Sequence, residues 1–297
     1  MADSAVLTMT PLRLRTGLAA ILAVFPALAT PADRSQVIRV FASVAPLTTF
    51  VQRVGGLRVD VQALVRPGHN PALYEPTPRQ IAALDDADLY IRTGVAFEVA
   101  WMDRIRSVNS RMPVLDVREG ITLPQDEPHS HTHGTTHLDP HPWTSPPLVK
   151  QIARVIRDAL MDLDPEYRDL YAANFAAFAQ ELDALDREIR DLFAGLKNRR
   201  FMVYHPAWGY FADTYGLTQI PIEHEGKEPG PKALKELIDQ ARREGIKLIM
   251  VQPQFGRKTA ATIAQAIGAR IATVDPLDVD YVNNLRRVAR LIAEVHT

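Results

Sequence analysis

Between Tyr171 and Leu196 the residues Tyr171, Phe175, Phe178, Leu182, Leu185, Ile189, Leu192 and Leu196 recur at steps that alternate four and three. That spacing puts them on one stripe of an α-helix. It predicts a single helix over 164–197, of about thirty residues and roughly 45 Å long at 1.5 Å per residue. Asp164-Pro165 is its expected capped start. A helix of this length is either a coiled-coil dimer seam or a strut shared by two bodies of structure.

The flanking sequence favours the strut. Before it, residues 37–43, 59–65 and 89–91 read as strands, with helical stretches at 46–55 and 78–86. The second helix carries a start signal: Thr77 as N-cap, Pro78 at the first helical position, and Gln80 completing a capping box. A helix near 147–161 leads into the long one. After it, strands are expected at 201–204, 247–251 and 270–274, with helices at 207–215, 231–244, 257–267 and 278–296. Alternation of this kind implies parallel sheets flanked by helices. The fold class is therefore α/β, with two lobes joined by one long connecting helix. The expected divisions are an N-terminal lobe over 36–163, the connector over 164–197 and a C-terminal lobe over 198–297.

Composition narrows the chemistry. The chain of 297 residues has no cysteine, which excludes disulfides, thiolate catalysis, Cys-ligated metal and a lipid-anchoring Cys. Its formal net charge of −1 gives no electrostatic case for nucleic acid. No repeat, GxGxxG, Walker loop, GxSxG or HExxH is present. Residues 1–29 read as a cleavable secretory signal. Arg13 and Arg15 precede a short apolar run over 18–29, which ends on the small-x-small Ala27-Leu28-Ala29. A soluble periplasmic product is expected.

In open α/β sheets ligands bind at the carboxyl ends of the strands. There the sequence places His69 on the loop after 59–65, His205 after 201–204, and Asp275 after 270–274. The Pro- and His-rich loop over 120–147 carries His129, His131, His133 and His137 and exits through Asp139-Pro-His141-Pro-Trp143. Imidazole and carboxylate suit a divalent transition metal. Each residue alone also has a structural reading: a strand-end His can be a hydrogen-bonded fixture, and Asp275 before Pro276 can start a turn. Short His tracts in loops bind such metals weakly and exchangeably.

Six blocks occur in order: Pro67-Gly-x-Asn-Pro-x-x-Tyr-Glu-Pro-Thr-Pro78, Asp139-Pro-His-Pro-Trp143, Tyr204-His-Pro-Ala-Trp-Gly-Tyr-Phe211, Glu225-Gly-Lys-Glu-Pro229, Gln252-Pro-Gln-Phe255 and Val274-Asp-Pro-Leu277. Together they resemble the ZnuA/TroA-like (cluster A-I) metal-binding solute-binding proteins of zinc/manganese ABC importers, over about residues 36–296. The resemblance implies a metal held between two lobes, with His141, His205 and Asp275 as ligands. A His at position 205 implies zinc rather than manganese. The family pattern also has a His where this chain has Ala72. His69, or a His from 129–137, is expected to supply the fourth bond.

The expected function is periplasmic capture of zinc by a monomer that hands it to an ABC permease. Protonation of imidazoles as pH falls through about 6.5 is expected to release the metal, and the continuous connector to limit lobe movement. Glu223, Glu225 and Glu228 are supporting or surface residues that sequence alone does not separate. The alternatives are a secreted zinc-dependent hydrolase, for which no base is marked, and a metallochaperone or binding protein of altered ligand specificity.

Overall fold

Aliphatic and β-branched runs build two sheets. The computed structural model describes Met1 and residues 37–121, 139–224 and 226–296. Strands β1 (Ile38–Ala42), β2 (Val59–Ala63), β3 (Leu89–Arg92) and β4 (Val114–Asp116) form one sheet in the order β2-β1-β3-β4. Strands β5 (Arg200–Val203), β6 (Thr218–Pro221), β7 (Leu248–Val251) and β8 (Arg270–Thr273) form the other, in the order β6-β5-β7-β8. Every pairing is parallel, so in each sheet all strand carboxyl ends share one edge. The strand order reverses between β1 and β3 and between β5 and β7, the positions where such sheets open a ligand crevice.

The helices are α1 (Ala45–Gly55), α2 (Pro78–Ala83), α3 (Ala96–Val108), α4 (Pro146–Leu163), α5 (Arg168–Phe193), α6 (Gly209–Tyr215), α7 (Pro231–Arg243), α8 (Lys258–Ile267) and α9 (Tyr281–His296). The capping box expected at Thr77 is formed, with Thr77 and Gln80 satisfying each other's backbone N–H groups.

The long helix, α5, is shorter than its seam suggests. It has 26 residues, preceded by a 3-10 turn over Pro165–Tyr167. Asp164 does not cap it. Its Oδ2 instead accepts from Arg58 Nε at 3.0 Å, Arg58 Nη2 at 2.9 Å and the Tyr171 hydroxyl at 2.7 Å. Arg58 is buried, and a buried guanidinium needs a counter-charge more than a helix end needs a cap.

The α5 seam is consumed within the chain. Tyr171, Phe178, Leu182, Leu185, Ile189 and Leu196 are buried, while Phe175 and Leu192 are partly so. The helix packs on α4, α1 and α9, so a single apolar core runs from the first sheet through α5 to α9. Phe50 of α1 joins the two ends, with its ring centroid 6.0 Å from Phe178 and 5.0 Å from Tyr281. A smaller cluster, including Ile249, Ile263 and Ala241, lies between the second sheet and helices α7 and α8.

Three elements have weak local signals. Strand β4 is three half-buried residues, β6 ends on Pro221, and α3 buries the charged Glu98 in its first turn. Glu98 Oε2 accepts from the N–H groups of Gly94 (2.6 Å) and Val95 (3.1 Å), and its Oε1 accepts from the Tyr90 hydroxyl (2.9 Å). Burial pushes this carboxyl up to about 7. Among the described residues no helix is long and apolar enough to cross a membrane. Apart from Met1, the expected signal segment lies outside the described residues, as do His129, His131, His133, His137 and Glu225.

Candidate metal centre

The carboxyl edge of the second sheet presents Glu223 beyond β6, His205 beyond β5, Gln252 and Gln254 beyond β7, and Asp275 beyond β8. His205 therefore stands at the strand-order reversal. Gln252 clamps its backbone from both sides: Nε2 donates to the His205 carbonyl at 2.8 Å, and the His205 N–H donates to Oε1 at 3.3 Å. Phe255 stacks on the imidazole, with centroids 5.4 Å apart and planes 19° apart. Nδ1 of His205 lies 2.5 Å from Oε1 of Glu223, a side chain only 2% exposed whose Oε2 has no hydrogen-bond partner among the described residues.

His141 repeats this arrangement on the segment that enters α4. Its Nδ1 is 2.6 Å from Asp139 Oδ1, which also accepts the His141 N–H at 3.0 Å. The Trp143 ring packs against it at 5.2 Å. A carboxylate only accepts, so in each histidine the proton sits on Nδ1 and the Nε2 lone pair is left for another partner. The two imidazoles meet, with centroids 5.3 Å apart and planes at 74°. They are partly open to solvent, 14% for His141 and 25% for His205, so a small solute reaches them.

Asp275 behaves in part as the turn-former its sequence suggests. Its Oδ1 accepts the Leu277 N–H at 2.9 Å, and Gln254 Nε2 lies 3.1 and 3.2 Å from the two oxygens. An ionised carboxylate offers about four acceptor sites, which leaves room for one further ligand bond. The connection to His141 runs through Trp143, whose indole N–H donates to the Pro276 carbonyl at 2.8 Å.

His69 is placed differently. It is exposed on the loop after β2, with Nδ1 3.3 Å from the Pro67 carbonyl and its ring 5.6 Å from that of Tyr74. None of these contacts reaches His141, His205 or Asp275. Ala72, on the same loop, is exposed, and its N–H donates to Asn70 Oδ1 at 2.9 Å. Among the described residues no three His, Asp or Glu side chains already converge as a metal-holding group. Glu223 and Glu228, alike in sequence, separate here: Glu223 is buried on His205, while the exposed Glu228 accepts from the Tyr204 hydroxyl at 2.9 Å.

Residues 40–295 match the family model described as zinc-uptake complex component A, periplasmic. The chain belongs to the ZnuA family. That family is one of metal-binding transport components. The high-affinity zinc uptake system protein ZnuA of Bacillus subtilis is 28% identical over 256 residues, covering 83% of this chain and 79% of that protein. The zinc-binding lipoprotein AdcA of Streptococcus pneumoniae is 27% identical over 244 residues, covering 78% of this chain and 48% of AdcA. This chain thus spans about half the length of AdcA. A crystal structure of ZnuA superposes with a TM-score of 0.81 at 39% identity, covering 88% of this chain and all of that one. The ZnuA fold is therefore that of the two parallel four-stranded sheets described above.

Proposed function

We propose that the chain captures a divalent transition metal, zinc in preference to manganese, and delivers it to an ABC permease in the periplasm. One observation carries this reading. Two imidazoles from distant parts of the chain meet at 5.3 Å, and each has a carboxylate on Nδ1. Carboxylates placed so orient metal-ligating histidines and make them more basic. His141 and His205 are the central ligands and Asp275 the third. His69, or a His from 129–137, completes the set, and the tract His129, His131, His133 and His137 is also an auxiliary capturing loop. Zinc takes such nitrogen and oxygen donors, normally four of them.

Membership of the ZnuA family and the zinc-binding and zinc-uptake names of its relatives support zinc as cargo. Residues 1–29 act as the export signal and leave a soluble monomer. Residues 36–163 and 198–297 act as lobes on the α5 connector, whose continuity limits their movement. The test is titration of purified metal-free protein with Zn, Mn, Cu and Ni ions. Zinc binding at one tight site, with manganese much weaker, supports the reading. Absence of a tight zinc site, or turnover of ester or phosphate substrates by the zinc form, overturns it.

A further inference from the structure

His141 precedes α4 and so belongs by chain order with the first sheet, yet its segment is bonded to elements that follow α5. The Tyr210 hydroxyl, on α6, donates to the Asp139 carbonyl at 3.2 Å. Trp143 donates to the Pro276 carbonyl, and the Ser145 hydroxyl lies 2.7 Å from that of Thr214, also on α6. From the first sheet, Thr93 Oγ1 donates to the Pro140 carbonyl at 2.8 Å. Asp139 is the residue whose carboxylate holds His141 Nδ1, so a bond to its carbonyl acts on the imidazole through one short residue. Burial and the neighbouring Asp139 raise the Tyr210 phenol above its ordinary value, so it stays an O–H donor throughout the neutral range.

We propose that Tyr210 is a positioning residue for metal capture. Its bond to the Asp139 carbonyl, with the Trp143–Pro276 bond on the other side of His141, anchors that histidine to the half of the molecule that carries His205. The two imidazoles then form a preassembled pair, and the Tyr210 hydroxyl slows release of the ion. This rests on the reading of the pair as the metal site.

The test uses the full chain with Tyr210→Phe, which removes only the hydroxyl. Zinc release is followed by stopped flow against excess chelator, the cobalt(II) form by its visible spectrum, and the metal-free protein by its melting temperature. Release about three- to tenfold faster, on the scale of one hydrogen bond, with a shifted cobalt spectrum and an unchanged metal-free melting temperature, supports the proposal. Unchanged release and spectrum overturn it, as does faster release that appears only with an equal loss of metal-free stability. If Tyr210→Phe does not fold, Trp143→Phe, which keeps a ring against His141 but loses the N–H, serves with the same readouts and the same outcomes. A wild-type protein that binds no zinc fails at the first step. That result overturns the metal-site reading and this proposal with it, and it differs from a wild type that binds zinc with release indifferent to Tyr210.

Discussion

Nδ1 of His205 lies 2.5 Å from Oε1 of Glu223, a carboxylate buried just beyond β6 whose Oε2 has no hydrogen-bond partner among the described residues. Its role follows from chemistry: it holds the proton on Nδ1 and aims Nε2 outward. Glu223→Gln keeps the size but allows the amide to turn its NH2 toward the ring. The expected result is zinc affinity lowered about 10- to 100-fold, measured by competition with a chromophoric chelator, with the metal-free protein still folded. Unchanged affinity refutes the orienting role.

The paired imidazoles make a stronger prediction. His141→Ala and His205→Ala each remove a ligand bond, and each is expected to weaken zinc binding by at least about 100-fold. His141 and its partner Asp139 are both partly exposed, so His141→Ala should change the melting temperature of the metal-free protein little. His205→Ala leaves the buried Glu223 without its partner and should lower it. Isothermal titration and a melting curve on the same samples check both halves. Retention of tight binding in either variant moves the site elsewhere.

The fourth bond is separable by a pair of variants. With His69 as donor, His69→Ala is expected to lower affinity about tenfold, while deletion of 129–137 removes weak extra sites and leaves the tight one. Zinc stoichiometry and affinity, measured together, distinguish the outcomes. The opposite pattern assigns the bond to the loop.

Glu98 gives a pH dependence. Its carboxyl titrates at about 7 in the folded chain against an ordinary 4.5. As pH rises between these values the unfolded chain loses its proton first, so the unfolded state gains. Stability is therefore full below about 4.5 and falls as pH rises through 7, by about 3 kcal/mol at most. Urea denaturation of the metal-free protein at pH 5 and pH 8 should show that fall, and Glu98→Gln should flatten it. Parallel slopes in the two proteins would count against the assignment.

Phe50 ties the core together across α5. It is fully buried against Phe178 and Tyr281. Phe50→Ala opens a cavity where α1, α5 and α9 meet, at an expected cost of about 3–5 kcal/mol. Denaturant midpoints measure it. A loss below about 1 kcal/mol would show that the site collapses or that the contact is peripheral.

Much of this molecule was legible in its residues because the physics involved is local. The four-three seam from Tyr171 to Leu196 needs only helical periodicity to declare a long helix, and Thr77 with Gln80 needs only one turn to cap α2. Strand ends could be located because apolar β runs stop where His205 and Asp275 begin. Where local signals were weak, the elements went unseen: β4 is too short to show a period, β6 ends on a proline, and α3 buries a charge that sequence patterns assign to solvent.

Tertiary structure alone decided which residues meet. Asp164 looked like a cap and became the counter-charge of Arg58. Glu223 and Glu228 were indistinguishable until strand pairing buried one against His205 and left the other exposed beside Tyr204. That His141 faces His205, with its segment tied to α6 and Pro276, depends on the stretch entering α4 packing against the carboxyl edge of the second sheet. No local pattern encodes such a contact, because it follows from how the two sheets pack about a common core. The residues themselves determined the α/β class, the long helix and the kind of chemistry. The packing of α5 against α1, α4 and α9 decided where that chemistry converges.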